Sequence, residues 1–144
     1  MNNAYIALAL GMGLVLIVFA LAWYILQVVA YWKIFTKAGE AGWKSIIPVY
    51  NTYTQYKMTW SASMFWIWLL CTVAGIIFGG MDSFLSIVGS LGVLAAAIIN
   101  VMASFKLAAA FGHGILFGLG IFFFGPIFYL ILAFGSSEYQ GPQL

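Results

Sequence analysis

Charged residues are scarce in this sequence, and arginine is absent. Among 144 residues there are five lysines, three acids and one histidine, so that charged residues make up 6% of the chain. A soluble domain carries about 25% charged residues on average. The composition therefore excludes an ordinary soluble domain, because the chain could not present a polar surface to water on all sides. The net charge of +2 also argues against a nucleic-acid partner.

Groups that carry catalysis or bind metals are scarce as well. The only cysteine, Cys71, allows no intrachain disulfide and no cysteine metal cluster. The apolar segments contain no Asp, Glu or Arg, which disfavours a proton-coupled antiporter. Most routes to enzymatic catalysis begin from groups that this chain lacks. We therefore expect no enzyme, no metal and no cofactor.

Apolar residues fill 65% of the chain and fall into four long runs. The hydrocarbon core of a bilayer, about 30 Å thick, needs roughly 20 helical residues. The sequence therefore predicts an all-α membrane protein, a single integral membrane domain over 1–144 with four transmembrane helices in a compact bundle. The predicted spans are about 4–32, 63–79, 84–105 and 115–134, followed by a polar tail, 135–144.

Local signals refine these spans. The first run has no basic residue before it and continues past a possible cleavage site at 20–22, so we expect a spanning helix and no cleaved signal peptide. Asp82 or Ser83 could cap the third span. Pro126 lies late in the fourth span and predicts a kink there.

Most of the chain's polarity is concentrated between the first two spans, in the segment 33–60. Gly39 and Gly42 favour a helix break, and Pro48 suits the first position of a new helix. We expect an amphipathic segment in the headgroup plane, with a re-entrant loop as the alternative for 43–60. The expected interfacial anchors are lysines and aromatic residues, namely Lys33, Lys37, Trp43, Lys44, Tyr50, Tyr53, Tyr56, Trp60 and Lys106.

The lysines also predict an orientation. With four spans, the connections 33–60 and 106–114 share one side of the membrane and contain all five lysines. Lysine-rich connections face the cytoplasm. The prediction is a multi-pass protein of the cytoplasmic membrane with both termini outside.

Small and polar residues recur along the predicted spans and predict close helix packing. In the third span Ser86, Ser90, Val93, Ala97, Asn100 and Ser104 follow one another at spacings of 4, 3, 4, 3 and 4, the 3.5-residue period of left-handed helix pairs. The candidate packing or interface residues are Gly75, Gly79, Ser86, Ser90, Asn100, Ser104, Gly114, Gly118 and Gly125. For Asn100 we favour an interhelical hydrogen bond over ligand binding, and we interpret His113 as a loop histidine.

Two sequence patterns carry a family resemblance. KAGxxGWxxIIPxYN (Lys37 to Asn51) and FGxG…GLG…PIFY…LxFG (Phe111 to Gly135) resemble a family of small bacterial integral membrane proteins of unknown function. The first pattern is also similar to the N-terminal membrane portion of some bacterial signal peptidases. The resemblance implies a four-helix bacterial membrane protein without the peptidase's Ser/Lys catalytic domain.

Two classes of function fit these observations. The first is a non-enzymatic interaction or assembly component of a bacterial membrane, whose partners are lipid and either further copies of itself or other membrane proteins. The alternative is a small oligomeric channel or carrier, with a pathway lined by Asn100, Ser90, Ser104 and helix glycines. A role as an accessory to protein export rests on the signal peptidase resemblance alone.

Overall fold

The computed structural model describes residues 2–82 and 84–144, and most of them are helical. Five α-helices follow one another: α1 Asn3–Lys37, α2 Pro48–Thr59, α3 Ala62–Phe78, α4 Phe84–Ala110 and α5 Ile115–Phe134. A 3₁₀ turn, Gly42–Ser45, lies between α1 and α2. The predicted all-α architecture is confirmed. Ser83, which we considered as a cap for α4, lies outside the described residues.

Three of the helices in the described part of the chain are long and apolar enough to cross a membrane, namely α1, α4 and α5. The apolar helix α3 is shorter, with 17 residues. The break after α1 follows from Gly39, whose φ of 76° lies in the left-handed region that favours glycine. Pro48 occupies the first turn of α2, where its missing N–H removes no helical hydrogen bond.

Helix α5 folds back on itself halfway along its length. At Phe124 the backbone is not helical (φ −132°, ψ 40°), and Pro126 follows. The rings of Phe117 and Phe128 lie perpendicular, with centroids 4.9 Å apart, although 11 residues of continuous helix would separate them by about 16 Å. The first half of α5, 115–123, and its second half, 126–134, therefore form a hairpin. The fourth predicted span is not a single kinked rod.

Because α5 folds back, both of its ends lie with the ends of α1, α2 and α4 and the start of α3 at one end of the molecule, which we call the lysine end. Lys37, at the end of α1, donates hydrogen bonds to the carbonyl oxygens of Leu132 (2.6 Å), Gly135 (2.9 Å) and Ser137 (3.1 Å). A lysine at a helix C-terminus can satisfy carbonyls that have no helical partner. The ends of α2 and α4 are connected to the end of α5 by hydrogen bonds from the tail, 135–144.

The polar tail, 135–144, also lies at the lysine end. The backbone N–H of Gln140 donates to the carbonyl of Ala110 (2.7 Å), and that of Gln143 donates to the carbonyl of Thr59 (2.8 Å). The sequence analysis placed this tail on the opposite side of the membrane from the lysines. In the structure, the tail is bonded to the ends of α2 and α4 and lies at the same end of the molecule as the lysines. The side of the membrane on which each terminus lies stays a prediction.

Helix α1 extends well beyond the rest of the molecule. Its last third packs in a core with α4 and α5 that includes Ala30, Ile34 and Phe35. Residues 2–26 are all exposed except Gly13, which is half-buried. The structure therefore does not confirm a compact four-helix bundle. Since the second half of α5 begins only at the level of Gln27, which donates to the Pro126 carbonyl, no part of α5 continues along the remainder of α1.

Candidate helix-docking site

Helices α3 and α4 form an antiparallel hairpin whose backbones touch. A Cβ added at Gly89 would lie 2.5 Å from the Gly79 nitrogen and 2.7 Å from the carbonyl carbon of Phe78. A Cβ at Gly92 would lie 2.7 Å from the carbonyl oxygen of Cys71. Small residues permit this approach in lipid, where helices associate by close packing.

The face of α4 that makes this contact is one residue away from the one that the sequence predicted. The residues that pack against α2 and α3, which we call the packing stripe, are Gly89, Gly92, Ala96, Ile99 and Ala103. Their spacings of 3, 4, 3 and 4 have the same 3.5-residue period as the predicted set. Two stripes of that period thus run side by side along α4, and the chain's own fold uses the other one.

The predicted set remains largely uncovered, and we call it the polar stripe: Ser86, Ser90, Val93, Ala97, Asn100 and Ser104. Ser90, Val93, Ala97 and Asn100 are exposed, and the other two are half-buried. Beside it lies an open groove of about 390 Å³ between α3 and α4, lined by Trp68, Thr72, Gly75, Ile76, Val93, Ala96, Ala97 and Asn100.

Most hydroxyl groups near this groove are satisfied within their own helices. Ser90 donates to the carbonyl of Ser86 (2.8 Å), and Ser104 donates to the carbonyl of Asn100 (3.1 Å). Thr72 donates to the carbonyl of Trp68 (2.8 Å). A serine or threonine bonded in this way makes no further demand on its surroundings.

Two hydrogen-bond donors at the groove differ from these hydroxyls. The side-chain oxygen of Asn100 accepts a bond from the Tyr56 hydroxyl (3.3 Å), but its amide N–H groups have no partner among residues 2–82 and 84–144. The indole N–H of Trp68 is buried and also has no partner within that part of the chain. The groove therefore exposes the amide of Asn100 without an acceptor, whereas the indole N–H of Trp68 is unpartnered but buried beneath it.

The other glycines proposed for packing lie in different surroundings. Gly75 is buried against Val93, and Gly79 lies at the end of the hairpin beside Gly89. On α5, Gly118 packs against Phe105, and Gly125 lies 3.3 Å from the ring of Tyr129, measured from an added Cβ. Gly114 faces open space. The predicted Gly114/Gly118 pair therefore does not act as one contact surface within the chain.

The predicted anchors lie together at the lysine end, and each lysine there contacts another residue. Lys33 lies over the ring of Phe134 (4.5 Å), Lys44 over Tyr50 (5.6 Å) and Lys106 over Trp60 (5.5 Å). The rings of Trp43, Tyr50 and Tyr53 follow one another at centroid distances of 5.8 and 5.9 Å.

Glu40 joins two of the lysine-bearing segments at this end. Its carboxylate accepts hydrogen bonds from Lys44 (2.5 Å) and Lys57 (2.9 Å). The Lys44 hydrogen bond is the main cause of the lowered pKa of Glu40; burial opposes it, and the Lys57 hydrogen bond adds to it. The same contact raises the pKa of Lys44. The charges therefore fix the turn after α1 to α2 and do not form an open binding site.

Sequence reasoning missed several residues of this arrangement. Tyr139 donates from its hydroxyl to the carbonyl of Met58 and packs against Phe111, with ring centroids 5.7 Å apart. Trp68 and Thr72 were not recognised as groove residues, although their i, i+4 spacing places them on one face of α3. The tail contacts had no comparable signal, because they join residues that are far apart in sequence.

Comparison with known proteins places the chain in a family. Residues 43–142 match the family described as Family of unknown function (DUF5684). The chain belongs to this family. No curated protein and no solved structure matches the chain. The resemblance to signal peptidases stays a prediction.

The part of the chain that matches the family begins at Trp43 and includes the last three residues of the 3₁₀ turn, α2 to α5 and most of the tail. It therefore contains the α3–α4 hairpin, the groove and the folded-back α5. Helix α1 lies outside the match, together with its Lys37 contacts.

Proposed function

We propose that this chain is a non-enzymatic integral membrane protein that docks a partner transmembrane helix on the polar stripe of α4. In this proposal α1, α3 and α4 cross the membrane, and α5 enters and leaves at the lysine end. The length of its two halves supports a re-entrant α5. Each half has 9 residues and extends about 14 Å, roughly half of the hydrocarbon thickness.

The turn of α5 is bonded to α1 at one backbone position, while Phe122, Phe123 and Phe124 are exposed. Non-helical backbone at membrane depth is tolerated where protein covers it. Gln27 of α1 donates from its side-chain amide to the carbonyl of Pro126 (3.3 Å), and Ile121 is buried in the core that α1, α4 and α5 share. These contacts support a re-entrant hairpin over a fourth crossing.

The orientation follows from the five lysines, which all lie at the lysine end. By the positive-inside rule this end faces the cytoplasm. The start of α1 and the turn after α3 then face outward, and the tail 135–144 faces the cytoplasm. We propose that α2, with its aromatic and lysine neighbours, lies in the cytoplasmic headgroup region of the cell membrane.

The observation that carries the function is the uncovered polar stripe. Lipid tails offer no acceptor for the exposed amide of Asn100, and an unsatisfied polar group in hydrocarbon is costly. Interhelical hydrogen bonds in membranes contribute about 0.6–2 kcal/mol each. A partner helix that presents an acceptor at this depth would relieve that cost, and the small Ala97 would allow it to approach closely.

A second exposed face of α4, about 110° around the helix from the polar stripe, differs from it in composition. Leu91, Leu94 and Ile98 are exposed and aliphatic, which is the composition expected of a surface in contact with lipid. Large aliphatic side chains on one face and small or polar ones on the other indicate that the two faces meet different surroundings.

Site-specific photo-crosslinking in native membranes tests this proposal. A photoreactive amino acid in place of Ala97 should give a protein adduct, and the same residue in place of the neighbouring, lipid-facing Ile98 should give little or none. Adducts at both positions, or only at Ile98, would show that the polar stripe is not the docking surface.

A further inference from the structure

The amide of Asn100 indicates what kind of helix the polar stripe accepts. Its oxygen has one lone pair occupied by the Tyr56 hydroxyl, and an amide oxygen has two. Its two N–H groups have no partner in the described chain. Asn100 can thus both donate and accept one further hydrogen bond, which makes it complementary to another Asn100.

We propose that the partner is a second copy of this chain, and that the two Asn100 amides pair across a two-fold axis along the membrane normal. This inference rests on the proposed function. In such a pair each amide donates to the oxygen of the other, and each oxygen keeps its bond from Tyr56. One of the two N–H groups of each Asn100, without a partner in the single chain, is then satisfied.

The register of the two α4 helices follows from the way in which the two copies are inserted in the membrane. Two copies in one membrane share one orientation, so their α4 helices run parallel and each residue of the stripe faces its own counterpart at the same depth. The 4, 3, 4, 3, 4 spacing of the stripe is the pattern of a parallel left-handed pair. A single polar residue in such a pattern fixes register, as a buried asparagine does in coiled coils.

The remaining residues of the stripe suit a symmetric contact. The hydroxyls of Ser90 and Ser104 are bonded within α4, so a second copy need not supply partners for them. Ala97 and Val93 are small or medium-sized and exposed, and Ala97 lies one turn from Asn100. The amide of Asn100 is therefore the group on the stripe for which a second copy supplies a hydrogen-bond partner.

Cysteine crosslinking of the full-length protein in membranes tests the dimer. In a Cys71→Ser background, Ala97→Cys should form a disulfide-linked dimer on mild oxidation, because two copies bring position 97 to within disulfide range across the axis. Ile98→Cys, exposed and about 100° around the helix from position 97, is the matched control and should remain monomeric under the same oxidation.

The hydrogen bond itself is tested by the dissociation constant of the dimer in lipid vesicles. Asn100→Leu removes both hydrogen bonds of the symmetric pair and should raise it about 8- to 900-fold, the range expected for two intramembrane hydrogen bonds. Asn100→Gln keeps an amide and should recover part of the loss. A folded Asn100→Leu protein with an unchanged dissociation constant would overturn the role of the amide.

The crosslinking results separate this inference from the proposed function. A photo-adduct of position 97 with a different protein, and no Ala97→Cys dimer, would overturn the self-association and leave helix docking standing. Absence of any protein adduct at position 97 would overturn both. Equal dimer formation by Ala97→Cys and Ile98→Cys would overturn the proposed symmetric face.

Discussion

The molecule contains two helical hairpins, and glycine plays a different part in each. In the α3–α4 hairpin a Cβ on Gly89 would meet backbone atoms of Phe78 and Gly79. In the α5 hairpin a Cβ on Gly120 would overlap the end of the Phe128 ring. The first contact joins two rigid backbones, and the second joins a backbone to a side chain that can move.

The hairpins also turn in different surroundings. The α3–α4 turn, around Gly80 and Asp82, lies in an exposed, polar stretch at the end of two long helices. The α5 turn interrupts an apolar helix at Phe124 and Pro126, and Gln27 bonds its backbone from α1. Glycine spacing in a membrane sequence therefore predicts close contact but does not reveal whether the contact is with a backbone or with a ring.

The most decisive test of this comparison is the side of the membrane on which the residues before and after α5 lie. In a Cys71→Ser background, a membrane-impermeant maleimide should label Asn3→Cys in intact cells. It should label Ala41→Cys and Ser136→Cys only after permeabilisation, because both flank helix ends at the lysine end. If Ser136→Cys is labelled together with Asn3→Cys, α5 crosses the membrane and is not re-entrant.

The two glycine contacts can be compared by the same substitution at each. Gly89→Ala should destabilise the protein by about 1–3 kcal/mol, the usual cost of overpacking, because backbone atoms cannot move aside. Gly120→Ala should change stability by less than about 1 kcal/mol, since the Phe128 ring can shift and alanine favours a helix. Thermal unfolding in detergent measures both.

Gly13→Ala is the control for this pair, because no atom lies within 4 Å of an added Cβ there. Its stability should be unchanged or slightly higher. Equal losses for Gly89→Ala and Gly120→Ala would contradict the distinction between backbone and ring contacts.

An effect similar to that of Gly89→Ala is expected where α1 holds the end of the α5 hairpin. Lys37→Met removes the donor to three carbonyl oxygens and should cost about 1–3 kcal/mol. It should also make the tail more accessible to protease. Lys33→Met, which loses one contact with the Phe134 ring, should cost about 0.5–1 kcal/mol. A Lys37→Met protein with an unchanged tail would show that other contacts suffice to hold α5 closed.

Parts of the candidate site could be predicted from the sequence because they depend on residues close together in the chain. The periodicity of Val93, Ala97 and Asn100 identified a face of α4 that differs from its aliphatic side. It could not show whether α3 or another molecule covers that face. The packing stripe lies only one residue away, about 100° around the helix, and its spacing is the same.

What the sequence determined by itself is the helical, membrane-embedded character of the chain and the gathering of its lysines beside one set of helix ends. Hydropathy and charge are properties of each residue and its neighbours, so they can be read in order along the chain. Only the tertiary structure decided that α5 turns back, that the tail rejoins α2 and α4, and that the polar stripe stays open. Those outcomes depend on contacts between residues far apart in sequence, such as Phe117 with Phe128 and Thr59 with Gln143, and no local pattern specifies them.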